Sequence, residues 1–128
     1  MSVVSEDERM FDIKVTADFS SAHNLENYRG KCEKLHGHNW IVEAVFACKS
    51  LDKDGMAVDF RDARAVLKDA LEGLDHSYLN ELKILKGMNP TSENIARFIH
   101  DEIKKQNAHI KSVAVWENAS SCATYTEG

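Results

Sequence analysis

The stretch Cys32-Glu33-Lys34-Leu35-His36-Gly37-His38-Asn39-Trp40 leads into a predicted strand, and the rest of the chain is organised around it. Side chains alternate between the two faces of a strand, so a His-Gly-His triplet places both imidazoles on one face. The Cα atoms of His36 and His38 would lie roughly 6.5–7 Å apart, at about 3.3 Å per residue. Both rings can then reach one metal ion, and a third ligand must come from elsewhere in the chain.

Length and composition predict a single soluble domain spanning residues 1–128. A net charge of −5 argues against a general nucleic-acid or anionic-membrane binder, because such proteins need a basic surface. The longest apolar runs are far shorter than the roughly 20 residues needed to span a bilayer. The acidic N-terminal residues do not resemble a signal peptide, and the three cysteines lack disulfide-scaffold spacing. We therefore expect a cytoplasmic location.

Hydrophobic periodicity predicts four strands and two helices. The first strand covers Phe11–Phe19, and a long polar connection from Ser20 to Leu35 carries His23 and Cys32 before a second strand at Gly37–Lys49. Two helices follow at residues 59–72 and 91–106, the first capped by Asp59 and the second by Thr91 or Ser92. The chain ends in a hairpin whose strands cover residues 110–117 and 122–126. The order β-β-α-α-β-β predicts an α+β fold, in which an antiparallel sheet carries both helices on one face.

His23 is the best candidate for the third metal ligand. It follows the first predicted strand, so a hairpin of the first two strands would bring it towards His36 and His38. Three imidazoles leave one of the four zinc positions open for water or substrate, which is the arrangement of catalytic zinc. The alternative is that one loop histidine and two strand histidines have ordinary hydrogen-bonding partners.

Cys32 lies on the same connection, four residues before His36, and its role stays open at this point. It could be a fourth ligand, which would close the site and make it structural. It could also be a free thiol activated by positive neighbours, for which Arg29, Lys31 and Lys34 are available, or a cysteine with no part in the site.

Two further groups are candidates for acid–base or binding chemistry. Asp75 and His76 follow a predicted helix end and could form an acid/base pair, since a carboxylate fixes the tautomer of a neighbouring imidazole. The alternative for this pair is a helix C-terminal cap interaction. Glu117 ends a strand before a turn and is a weaker candidate, with a surface carboxylate as the alternative.

Six short motifs are spread along the chain: Phe19-Ser20-Ser21-Ala22-His23, Cys32 to His38, Val58-Asp59-Phe60, Leu74-Asp75-His76, Pro90-Thr91-Ser92-Glu93-Asn94 and Trp116-Glu117. Through these motifs the chain resembles the 6-pyruvoyltetrahydropterin synthase and 6-carboxytetrahydropterin synthase family over nearly its whole length. The three-residue gap between Cys32 and His36 is similar to the bacterial carboxytetrahydropterin synthases, whereas the pyruvoyl-forming synthases of animals typically have five residues there.

The resemblance implies the tunnelling fold, a four-stranded antiparallel sheet with two helices between the second and third strands. It implies a homohexamer built from two trimers, with active sites at subunit interfaces. It also implies a role for each candidate residue: Zn²⁺ held by His23, His36 and His38, Cys32 as a catalytic acid/base with Asp75 and His76 as the proton-transfer partner, and the pterin bound by Glu117 with help from Thr91 and Ser92.

The reaction implied by the resemblance converts 7,8-dihydroneopterin triphosphate to 6-carboxy-5,6,7,8-tetrahydropterin, acetaldehyde and triphosphate, an early step towards queuosine. Arg29, Lys31 and Lys34 are candidates for the triphosphate by proximity alone. One alternative is 6-pyruvoyltetrahydropterin synthase activity, which eliminates triphosphate without cleaving the side chain. Another is a non-catalytic zinc-stabilised pterin-binding module, in which Cys32 completes the coordination sphere.

Overall fold

The computed structural model describes residues 10–26, 29–30 and 33–127. Within these ranges the chain forms five strands, two α-helices and two short 3-10 turns at Leu79–Glu81 and Lys83–Leu85. In chain order the main elements are β1 (Phe11–His23), β2 (His36–Cys48), α1 (Phe60–Glu72), β3 (Ser77–Tyr78), α2 (Ser92–Lys104), β4 (Ile110–Asn118) and β5 (Ser121–Thr126). The predicted α+β class is confirmed.

The first two strands form a long antiparallel hairpin, in register from Phe11 opposite Cys48 to His23 opposite His36. We expected the first strand to end at Phe19 and His23 to lie in the following connection, but β1 continues to His23. The polar residues after Phe19 are accommodated because they find partners inside the fold. The Ser21 hydroxyl donates to the carbonyl of Leu74, and the indole Nε1 of Trp40 donates to the Ser21 carbonyl over 3.2 Å.

The sheet order among the described residues is β3-β1-β2-β4-β5. Four of these strands form the predicted antiparallel arrangement. The fifth, β3, was not predicted: it has two residues and runs parallel to β1, with Ser21 opposite Ser77 and Ala22 opposite Tyr78. Two residues are too few to show a periodicity in sequence. This short strand places the segment after α1 against the end of β1 that carries His23.

The helices cover one face of the sheet, α1 against β1 and α2 against β4 and β5. Asp59 caps α1 by accepting from the Arg61 N–H, and Thr91 caps α2 by accepting from the Asn94 N–H at 3.1 Å. Between helices and sheet lies an apolar core whose fully buried members include Trp40, Val42, Phe46, Leu67, Ile95, Ile99, Ile103, Val113 and Val115. Neither α-helix in the described part of the chain is long and apolar enough to cross a membrane.

Candidate metal centre

Three histidines meet where the β1–β2 hairpin opens. His23 and His36 are directly opposite in the ladder, and His38 pairs with Ser21, so His38 lies two residues along on the same face. The Nε2 atoms of His23 and His36 are 3.1 Å apart. The His38 ring centroid lies 5.1 Å from that of His23 and 4.6 Å from that of His36. Residues separated in sequence by a long connection thus converge, and their role as metal ligands stays a prediction.

Hydrogen bonds to backbone carbonyls define which nitrogen of two rings faces the cluster. His23 Nδ1 lies 2.8 Å from the carbonyl oxygen of Pro90, and His36 Nδ1 lies 2.8 Å from that of Lys34. A carbonyl oxygen can only accept, so each Nδ1 carries the hydrogen, and each neutral ring has a lone pair at Nε2. Two lone pairs facing each other at 3.1 Å have no hydrogen between them. A metal cation between them resolves this arrangement, as in metal sites where carbonyls orient the ligating histidines.

Glu117 brings a fourth electron-pair donor to the same point. Its Oε1 atom is 3.1 Å from His23 Nε2 and 3.5 Å from His38 Nε2. His38 Nε2 is buried and has no hydrogen-bond partner among the described residues. One potential ligand atom from each of the four residues lies within 4.8 Å of the other three. Imidazole nitrogen and carboxylate oxygen are both usual ligands of zinc, so the donor set fits this ion.

Electrostatics keep His38 in the form that binds metal. Burial of the ring lowers the pKa of His38 below 6.5, the neighbouring His23 and His36 lower it further, and the Glu117 carboxylate acts in the opposite direction. The ring is therefore predominantly neutral at pH 7. Metal binding requires the neutral imidazole, so protons would compete only weakly with a metal at this candidate ligand near neutrality.

Trp40 supports the cluster from the core. Its side chain is fully buried, and its ring stacks on Phe19 at a centroid distance of 5.7 Å. The same ring makes edge contacts with His23 at 4.8 Å and His38 at 5.2 Å. Rigid packing of this kind restricts the rotamers of the two imidazoles and so fixes the positions of their nitrogen atoms.

Glu117 reaches the cluster from an irregular point of β4. In the β4–β5 ladder Trp116 pairs with Cys122 and Asn118 with Ser121, which leaves Glu117 as an extra residue. Such bulges bend a strand and redirect side chains, often next to active sites. Sequence reasoning assigned Glu117 to pterin binding and missed its proximity to the histidines. The available signal was its parity with Val113 and Val115, which face the core.

The side chains of Asp75 and His76 are in contact, with 3.0 Å between Oδ2 and Nδ1, and their role as an acid/base pair stays a prediction. The pair joins β1 at Ser20, whose N–H donates to Asp75 Oδ1 at 2.9 Å and whose carbonyl accepts from the His76 N–H at 2.6 Å. The hydrogen bond from the Ser20 N–H, and then the electrostatic interaction with the neighbouring His76, lower the pKa of Asp75. The His76 side chain is 84% exposed, and neither residue belongs to the four-residue cluster found among the described residues.

The other residues predicted to take part in the site differ in where they lie. Thr91 uses its hydroxyl to cap α2, Ser92 is the first residue of that helix, and Pro90 just before them contacts His23. Cys32 and Lys31 lie outside the described residues. Arg29 and Lys34 are exposed.

Next to Cys32, Glu33 joins the two sides of the connection between β1 and β2. Its N–H donates to the Leu25 carbonyl at 3.0 Å, and its Oε1 accepts from the Leu25 N–H at 3.2 Å. These bonds hold the residue that follows Cys32 against the segment that follows His23.

Comparison with known proteins gives consistent matches over most of the chain. The profile of the 6-pyruvoyl tetrahydropterin synthase family matches residues 12–128. The 6-carboxy-5,6,7,8-tetrahydropterin synthase of Haemophilus influenzae is 31% identical over 92% of this chain and 100% of its own length. The protein of the same name from Synechocystis sp. is 35% identical over 84% of this chain and 86% of its own length.

Among solved structures, the 6-pyruvoyl tetrahydropterin synthase of Caenorhabditis elegans superposes with a TM-score of 0.81 and 20% identity, covering 94% of this chain and 97% of that chain. The 6-pyruvoyl tetrahydropterin synthase of Plasmodium vivax gives a TM-score of 0.75 at 18% identity. At these identities the likeness concerns the fold, and it confirms the fold predicted from the resemblance.

Proposed function

Because this chain belongs to the 6-pyruvoyl tetrahydropterin synthase family, we propose that it converts 7,8-dihydroneopterin triphosphate to 6-carboxy-5,6,7,8-tetrahydropterin, releasing acetaldehyde and triphosphate. The observation that carries the proposal is the set of three imidazoles whose Nε2 atoms converge beside a carboxylate. The choice of product is supported by relatives at 31% and 35% identity that are named for the carboxylated pterin. The reaction would be a cytoplasmic step towards queuosine.

We assign Zn²⁺ to the Nε2 atoms of His23, His36 and His38. When bound, the ion would act as a Lewis acid that polarises oxygen atoms of the substrate side chain. The Pro90 and Lys34 carbonyls keep His23 and His36 in the tautomer that presents Nε2, and Trp40 restricts the orientation of the His23 and His38 rings. These groups position the proposed ligands before substrate binds. That positioning is their contribution to catalysis.

The proton transfers require groups other than the ligands. We assign Cys32 as the acid/base that acts on a carbon-bound proton of the substrate, and the Asp75–His76 pair as its proton-transfer partner. Asp75 holds the His76 ring through Nδ1, so the other nitrogen, Nε2, is directed away from the carboxylate and can exchange a proton. An imidazole titrates near neutral pH in water, which suits it to both directions of transfer.

We assign Glu117 to bind the amino-pyrimidine edge of the pterin. Thr91 and Ser92, which follow Pro90 in the chain, are assigned to help in binding the pterin. A carboxylate can accept two parallel N–H bonds from such an edge. Arg29, Lys31 and Lys34 are the candidates for the triphosphate, and they lie on the connection that also carries Cys32. The net charge of −5 is compatible with triphosphate binding, because these three basic residues are clustered on one connection.

We also propose that the chain assembles as a hexamer of two trimers. Among the described residues, β3 pairs only with Ser21 and Ala22 on the outer edge of β1, and no strand covers residues 11–20 on that side. The outer side of β5 is a second open edge. Unpaired strand edges readily accept a strand of another copy. Light scattering coupled to size-exclusion chromatography would measure the mass of the assembly.

Turnover of 7,8-dihydroneopterin triphosphate by the zinc-loaded protein tests the proposal, with acetaldehyde and the pterin product quantified together. Cys32→Ala should abolish turnover and retain zinc. Cys122→Ala, at an exposed position of β5, is the matched control and should leave both unchanged. If Cys32→Ala also loses the metal, Cys32 is a ligand and its assignment as acid/base is wrong.

The same assay separates the alternatives. A 6-pyruvoyl product without acetaldehyde would identify the pyruvoyl-forming reaction. Zinc binding without turnover, together with a Cys32 thiol that resists alkylation while zinc is present, would identify a non-catalytic zinc-stabilised module, because a ligating thiolate is protected.

A further inference from the structure

The Glu117 carboxylate occupies the position that a fourth metal ligand would take. In a tetrahedral site with metal–ligand bonds of 2.0–2.1 Å, neighbouring ligand atoms are about 3.3 Å apart. The separations between His23 Nε2 and His36 Nε2, His23 Nε2 and Glu117 Oε1, and His38 Nε2 and Glu117 Oε1 are 3.1, 3.1 and 3.5 Å. Three edges of the tetrahedron are therefore already present.

An ion pair without metal accounts for this geometry less completely. If His23 were protonated at Nε2, its single hydrogen could point to Glu117 or to His36, and both atoms lie at 3.1 Å. The buried Nε2 of His38 would still have no hydrogen-bond partner, because 3.5 Å to Glu117 is long for a hydrogen bond. One cation at the centre gives all four atoms a partner.

The position of Glu117 in β4 permits it to move. It is the extra residue of a bulge, and its side chain is 31% exposed, whereas the side chain of His23, which it contacts, is 1% exposed. A partly exposed carboxylate can rotate away from the ion by a change of rotamer without opening the core. The three histidines have partner residues in the β1–β2 ladder, whereas Glu117 has none in the described ladders of β4 with β2 and β5.

We infer that Glu117 is the fourth ligand of the ion in the substrate-free protein and that a bound pterin ring displaces it from the ion. This inference rests on the proposed function, which gives Glu117 the pterin amino-pyrimidine edge as a second partner. When the carboxylate accepts two parallel N–H bonds from that edge, both of its oxygens are directed at the pterin and neither is directed at the ion. Substrate binding thus opens the fourth position of the site at the moment when the substrate side chain arrives.

The exchange makes a thermodynamic prediction that needs no turnover. If Glu117 binds either the ion or the pterin ring, each ligand weakens the other, and by linkage both affinities change by the same factor. The suitable probe is pterin without a side chain, because it offers the amino-pyrimidine edge and no hydroxyls that could bind zinc. Zinc affinity is measured by chelator competition with and without saturating pterin.

Two isosteric variants define the test. Glu117→Gln should weaken zinc binding at least tenfold, because a neutral amide oxygen replaces a charged carboxylate oxygen that lies 3.1 and 3.5 Å from the Nε2 atoms of His23 and His38. Glu33→Gln is the matched control: Glu33 Oε1 lies 3.7 Å from the Nδ1 atom of His36, on the side of the ring away from the cluster. It should change zinc affinity less than threefold. Far-ultraviolet circular dichroism of the metal-free variants checks that both are folded.

In the wild-type protein, saturating pterin should weaken zinc binding severalfold. Zinc affinity of Glu117→Gln equal to that of wild type would overturn the assignment of Glu117 as a ligand. Zinc affinity that pterin leaves unchanged or increases would overturn the displacement. Failure of the protein to turn over dihydroneopterin triphosphate while this coupling is present would instead contradict the proposed reaction and leave the ligand exchange supported.

Discussion

The Nδ1 atom of His23 donates a 2.8 Å hydrogen bond to the carbonyl oxygen of Pro90, which lies two residues before α2. The last residue of β1 is thereby joined to the entrance of a helix 67 positions later in the chain. An ion bound at the other nitrogen of the same ring would hold this junction together with the β1–β2 hairpin. Metal binding and the stability of the fold should therefore be linked.

Removal of the metal is expected to lower thermal stability. A ligand at a hundred times its dissociation constant stabilises the folded state by about 2.7 kcal/mol. Thermal denaturation of the zinc-loaded and chelator-treated protein measures the difference. His36→Asn should abolish the response to zinc, whereas His109→Asn, an exposed histidine away from the cluster, should respond like wild type. Equal unfolding temperatures with and without zinc in wild type would contradict the linkage.

Trp40→Phe is expected to lower the free energy of unfolding by about 1–3 kcal/mol, because it removes a hydrogen bond and part of a buried ring. The lost bond is the one from the indole Nε1 to the Ser21 carbonyl. Urea denaturation measures the change. Trp116→Phe, at a half-buried position, is the control and should cost less. A smaller effect at Trp40 than at Trp116 would show that the fully buried indole is not a main support of the hairpin end.

The metal-free protein should become less stable as the pH falls below neutrality. Burial lowers the pKa of His38 below its unfolded value of 6.5, so the unfolded state binds more protons in this range. The contribution of the neutral His38 ring to the free energy of unfolding is fully present above pH 6.5. It is lost as the pH falls through the lower pKa that His38 has in the folded state. Thermal denaturation with chelator between about pH 5 and pH 8 measures it. His38→Asn should flatten the profile, and an unchanged slope would rule out this residue as a source.

His76→Gln is expected to reduce kcat by a factor of about 10² or more, in the usual range for general acid–base catalysis, and to leave the zinc content unchanged. Asp75→Asn should reduce it less, since the amide oxygen can still accept from the Ser20 N–H. Steady-state kinetics with metal analysis measures both. His100 and Asp101 form another His–Asp contact, at 3.2 Å on α2, and Asp101→Asn is the control without effect on kcat. Full activity of His76→Gln would remove this residue from the proton-transfer pathway.

The stretch from Phe11 to Phe19 was sufficient to predict β1, because apolar and polar residues alternate along it. Side-chain burial in the strand follows the same alternation from Ile13 to Phe19. Its continuation to His23 was not predictable from periodicity. Ser20, Ser21 and Ala22 carry no apolar alternation, and their place in the strand depends on partners from β2, β3 and the Leu74 carbonyl. Those partners are distant in sequence, so a local pattern cannot reveal them.

The candidate site was predictable in part for a related reason. His36 and His38 share a face by simple parity, and a hairpin places His23 near them. The approach of Glu117 to the histidines depends on a bulge in β4 and on the order of strands in the sheet. The residue pattern of β4 alone reveals neither the bulge nor the strand order. The buried His100 of α2 was also missed, because it lies within an otherwise apolar stripe of the helix. Cys32 lies outside the described residues, so the role predicted for it stays a prediction.

The register of β1 against β2 is unbroken, with Phe11 opposite Cys48 and His23 opposite His36. This register bears on how the correct strand alignment is selected during folding. A slip of one residue would turn His23 to the opposite face from its partner strand's histidines. A slip of two residues would restore the face but separate the two directly opposed rings along the strands. The correct alignment is thus the one that assembles three imidazoles around a single point, and an ion bound there would favour that alignment over its neighbours.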